Sequence, residues 1–154
     1  NMTGFTPGNR REFVDDDPQT RRIDIVITKR TMPITEADRL ETLYLPNTVD
    51  KRGVRTPYQL TKFAFADRRV NVPTNGYADS ELFVGADENE NVIALFCFKE
   101  RSDIPSPECW RTYEYSDKIE VSYRFKRPFL PEWRAIDEAV RNYVKSIDRS
   151  ADAS

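Results

Sequence analysis

The chain has 154 residues, 38% of them hydrophobic and 12% aromatic, which is enough apolar material for one domain built round one core. Charged residues make up 32%, mean hydropathy is -0.70, and no apolar run approaches the ~20 residues needed to cross a bilayer. The net charge is -2, and Arg10-Arg11, Arg21-Arg22 and Arg68-Arg69 are scattered pairs rather than a basic stripe, which argues against nucleic acid as a partner.

Residues 1–19 mix Gly, Pro, Asn and a run of three Asp, and read as a flexible lead-in. A single α+β domain is expected over residues 20–148, followed by a frayed tail over 149–154. The β-branched run Ile23-Asp24-Ile25-Val26-Ile27 predicts the first strand. Thr35, followed by Glu36, Ala37 and Asp38, predicts the cap of a short helix that carries Leu40, Leu43 and Tyr44 and stops before Pro46, with Leu43-Tyr44-Leu45 equally suited to an extended segment. Further strands are expected at residues 58–66, 69–72 and 81–84, with a tight turn at Asn75-Gly76 between the last two. Asp87-Glu88-Asn89-Glu90-Asn91 resembles the start of a calcium loop. Val92 and Phe98 then occupy the glycine and bidentate-carboxylate positions, so a hairpin turn is the better reading.

Val92 to Lys99 is apolar on both faces, whereas Cys109 to Tyr115 and Ile119 to Lys126 alternate. Setting Cys97 opposite Cys109 puts Phe96 opposite Trp110. A two-residue turn at Asp117-Lys118 would then bring Phe125 opposite Trp110 and gather these rings with Val121 and Tyr123 on one face. Pro131 opens a closing helix to about Asp148, with an apolar stripe of Trp133, Ile136, Val140, Tyr143, Val144 and Ile147. The fold class is therefore α+β: an antiparallel sheet with a C-terminal amphipathic helix packed on it and one short helix near the N-terminus.

The chain contains no His, which excludes Ser-His-Asp and Cys-His triads and every His-bearing zinc site. Two Cys cannot complete a thiolate-only zinc site, and five Gly form no phosphate loop. No catalytic residue, metal ligand or cofactor site is expected. Carboxylate-pair hydrolysis needs no His, but no Asp or Glu sits in an apolar run that would raise its pKa; Glu114, in the hairpin, comes nearest. Cys97 and Cys109 have two readings. As opposed residues of a hairpin they form a disulfide, which implies a periplasmic or external protein. As reduced, buried thiols they fit a cytoplasmic core.

From Glu90 to Ile147 the chain carries Cys97, Pro105, Pro107 and Cys109, then Val121-Ser122-Tyr123-Arg124-Phe125, then Leu130-Pro131-Glu132-Trp133-Arg134-Ala135-Ile136. This pattern resembles small periplasmic immunity lipoproteins paired with type VI secretion toxins. The resemblance covers the C-terminal third, and its motif residues are structural. It implies a non-catalytic protein that neutralises a cognate toxin in the cell envelope, with a lipid anchor supplied outside the sequence given. The other readings are a structural or assembly component of the envelope and a carboxylate-only hydrolase. Loops carry recognition on a rigid frame, so partner contacts are expected at Asn75, Tyr77 and Asp79 and at Arg101, Asp103 and Ile104.

Overall fold

The computed structural model describes residues 21–66, 79–100 and 107–149. The lead-in, the strand at 69–72, the Asn75-Gly76 turn and the tail beyond residue 149 lie outside them. Seven strands form one antiparallel sheet: β1 (Asp24–Lys29), β2 (Val54–Arg55), β3 (Thr61–Ala64), β4 (Ser80–Ala86), β5 (Val92–Phe98), β6 (Glu108–Glu114) and β7 (Ile119–Lys126). Their order across the sheet is β1-β7-β6-β5-β4-β3-β2. Each strand from β2 to β7 pairs with the next, while β1 lies beside β7 and forms the opposite edge. The α+β class expected from the pattern is the one observed.

Helix α2 (Trp133–Ile147) follows a 3-10 segment at Arg127–Glu132 and covers one face. Its Trp133, Ile136, Val140 and Val144 are buried with Phe83, Ile93, Leu95, Val121, Tyr123 and Phe125. Burying such side chains stabilises the fold by about 2 kcal/mol each. Tyr143 and Ile147, expected on the same stripe, are instead exposed. The Trp133 ring is fully buried and its Nε1 donates to the Tyr58 carbonyl at 2.7 Å. Gly85 makes room here: a Cβ at this position would meet Leu60 Cδ2 at 2.7 Å, with the Trp133 ring just beyond.

On the other face, Thr35 caps α1 (Glu36–Arg39) in a capping box with Asp38. The chain runs on through a π turn (Leu40–Tyr44) and a 3-10 turn (Leu45–Asn47) that carries Pro46. Leu40 and Tyr44 cover Phe63, Phe65, Leu82, Ala94 and Phe96. The predicted hairpin pairs Cys97 with Cys109 and Phe96 with Trp110, as observed. The next register is one residue away from expectation, because Cys109, not Trp110, faces Phe125. Ser116 Oγ accepts from the Lys118 and Ile119 amides and makes the loop one residue longer. Parity then separates the aromatics. Val121, Tyr123 and Phe125 join the α2 face, while Phe96 and Trp110 stack at 5.6 Å on the α1 face.

Candidate functional site

The sheet splits between β5 and β6. Pairing between them holds only at Phe96–Trp110 and Cys97–Cys109. Carried further, the register would set Ala94 opposite Thr112. Instead, side chains of α1 enter the gap. The Ala94 amide donates to Glu36 Oε2 at 3.1 Å, and Arg39 Nη2 donates to the Thr112 carbonyl at 2.9 Å. The Glu36 amide in turn donates to Glu114 Oε2 at 2.9 Å, so α1 begins on a carboxylate, as its dipole favours. Two backbone groups at the split, the Ala94 N–H and the Thr112 C=O, are thus satisfied by side chains.

Glu36 reaches through the gap to Arg111, which points from β6 toward α2. Arg111 Nε and Nη2 clasp the Glu36 carboxylate at 2.9 and 2.8 Å. Its Nη1 donates to Asp137 on α2, which also accepts from Tyr123 Oη at 2.6 Å and from Arg141 Nε at 2.9 Å. Glu36, Arg111 and Asp137 are all buried. Burial pushes the Glu36 carboxyl up, against the opposing pull of Arg111. Burial and the nearby Asp137 also push the Tyr123 hydroxyl well above its ordinary value, which keeps it a neutral donor. One ionic chain therefore crosses the sheet and ties both helical layers together. It corrects the expectation that no acidic residue lies in an apolar setting: Asp137 sits on the buried stripe of α2, and Glu36 is deeper than Glu114.

At the open end of the split lies a cleft of about 500 Å³ between α1, α2 and the β4–β5 turn. Its lining includes Glu36, Asp87, Asn89, Arg111, Tyr113, Glu114, Tyr115, Arg141, Asn142 and Lys145. The turn is the predicted hairpin, with Asp87 Oδ1 accepting from the amides of Asn89 and Asn91. Arg141 bridges it to α2 through Glu88 at 3.0 Å. Tyr113 is buried against the Arg111 guanidinium, and its hydroxyl has no hydrogen-bond partner among the described residues.

Cys97 and Cys109 form a disulfide with Cα atoms 4.0 Å apart, at the point where the split begins. It fixes the two strands where their ladder ends. Alkylating the denatured but unreduced protein is expected to add no mass, and alkylating it after reduction should add two groups. Two alkylated thiols without reduction would contradict the bond.

Of the expected partner residues, Asn75, Tyr77, Arg101, Asp103 and Ile104 lie outside the described residues. Asp79 is exposed beside β4, and its carbonyl accepts from the Lys99 amide at 2.9 Å. A surface not anticipated is the β1 edge. Val26 and Ile27 are 54% and 41% exposed on opposite faces of the strand, and Met32 and Ile34 beyond it are exposed as well. The Arg30 amide donates to the Lys118 carbonyl of the neighbouring hairpin. Antiparallel alternation then directs the N–H and C=O of Ile25, Ile27 and Lys29 away from β7. Among the described residues no strand pairs with that side.

These features define an α+β protein with an antiparallel sheet, two helical layers joined by a buried ion network, and an edge strand, β1, whose outer side pairs with no strand among the described residues. No protein family, curated protein or solved structure matches the chain.

Proposed function

We propose that this chain is a non-catalytic binding protein of the bacterial envelope that neutralises a cognate toxin. The observation that carries this reading is the β1 edge, which no other strand covers among the described residues. Natural sheets guard free edges with charge, proline or cover, because an exposed row of amides and carbonyls invites another strand. In β1 the charges sit at the ends, Asp24 and Lys29, and the middle from Ile25 to Thr28 is uncharged with Val26 and Ile27 exposed. Strand addition at such an edge takes its affinity from main-chain hydrogen bonds and its selectivity from alternate side chains. The disulfide supports an oxidising compartment, hence the periplasm. The Leu130-Pro131-Glu132-Trp133 segment and its resemblance to type VI immunity lipoproteins support the class. Glu36, the deepest carboxylate of the cleft, fits a structural role better than hydrolysis, since both its oxygens are taken by Arg111 and the Ala94 amide.

The same edge also fits a second reading, an assembly component whose copies join edge to edge. Both are tested by light scattering of the isolated protein and by titration against the products of the reading frames beside its own. A monomer that binds one of those products, with Ile27→Lys weakening binding by tenfold or more (about 1.4 kcal/mol), supports the immunity reading. Concentration-dependent oligomers abolished by Ile27→Lys would favour assembly instead. Binding unchanged in Ile27→Lys would place the interface elsewhere.

A further inference from the structure

We infer that the cleft at the split end of β5 and β6 binds a neutral saccharide. This goes beyond the partner reading and does not depend on it. The charges that line the cleft balance, with Glu36, Asp87 and Glu114 against Arg111, Arg141 and Lys145. Most of them are already engaged. Glu36 is held by Arg111, Asp87 by the amides of its own turn and by Asn91 Nδ2, and Arg141 by Asp137 and Glu88. A charged ligand would compete with those pairs, whereas a neutral ligand leaves them intact.

The hydrogen-bonding groups left over are the buried Tyr113 hydroxyl, the side-chain amides of Asn89 and Asn142, and one pair of opposite charges, the second oxygen of Glu114 and the Lys145 ammonium. Burial pushes the Tyr113 hydroxyl up to about 12, so it remains protonated and can both donate and accept. Amides likewise offer donor and acceptor together. The complement of such a set is a ligand whose own groups each donate and accept, which is the property of vicinal hydroxyls. A cleft of about 500 Å³ falls within the range of small-ligand sites, ~300–1,000 Å³. Most such sites are lined by apolar side chains, and this one is polar throughout except for the rings of Tyr113 and Tyr115 and for Ala37 and Val92. The half-buried ring of Tyr115 supplies a face for the C–H side of a pyranose; its hydroxyl is already tied to Asp148 Oδ2 at 2.6 Å.

Titration of the ¹⁵N-labelled protein with N,N′-diacetylchitobiose and with cellobiose tests this, with glucuronic acid and glucosamine as charged comparisons. The expected result is amide shifts centred on Asn89, Tyr113, Glu114 and Asn142 for at least one neutral disaccharide. Its Kd should be on the order of 1 mM, and both charged sugars should bind more weakly. Tyr113→Phe should weaken binding about fivefold, the effect of one hydrogen bond. Should that variant fail to fold, Asn142→Ala on the exposed surface of α2 gives the same reading. Tighter binding of either charged sugar, shifts spread away from the cleft, or no shift with either disaccharide at about tenfold above that Kd would overturn the inference.

Discussion

Arg111→Met should destabilise the fold by about 3–5 kcal/mol, read as a lower urea midpoint at unchanged slope. Arg111 bonds to both Glu36 and Asp137, and all three are buried. Methionine approximates its length but leaves Glu36 without a counter-charge in the interior and Asp137 with Arg141 alone. The loss also reaches the sheet, because Glu36 is held over the Ala94 amide by Arg111. Adding Glu36→Gln and Asp137→Asn to Arg111→Met removes the stranded charges and should restore part of the loss. A midpoint unchanged by Arg111→Met would mean that the ionic chain does not join the two layers.

Trp133→Ala should cost a similar amount, about 3–5 kcal/mol, for a different reason. The ring is fully buried where α2 meets β4, seated over Gly85 and Leu60, and its Nε1 satisfies the Tyr58 carbonyl. Alanine leaves a cavity and an unpaired carbonyl together. Thermal melts of parent and variant check it, and a melting temperature preserved within a degree or two would show that α2 does not depend on this anchor.

The meander and the closing helix were legible in the sequence because their patterns agree with one another. Alternation in β6 and β7, the apolar run of β5 and the two Cys all demand one hairpin, and that hairpin is observed. The register between β6 and β7 differs by one residue because the turn is longer than Asp117-Lys118. The signal that corrects it is Ser116, whose hydroxyl binds the amides two and three residues on. The ionic chain was hidden for a related reason. Arg111 lies between Cys109 and Tyr113 on the inward face of β6, and Asp137 lies four residues from Trp133 and three from Val140 on the apolar stripe. Each breaks a pattern otherwise kept, and a charge on a core face must find a partner. Pattern alone gave no sign that Glu36 would cross a split in the sheet to supply one. The two-residue β2 has no pattern of its own and exists through pairing with β3. The openness of the β1 edge depends on strand order, which local alternation does not encode.

The most direct test of the account is survival of cells that carry the neighbouring toxin in the periplasm while this chain is exported to the same compartment. The expected result is protection by the parent protein, none when the chain is retained in the cytoplasm, and loss of protection in Ile27→Lys despite normal folding. Equal survival with and without the exported chain, for every adjacent toxin tried, would contradict it.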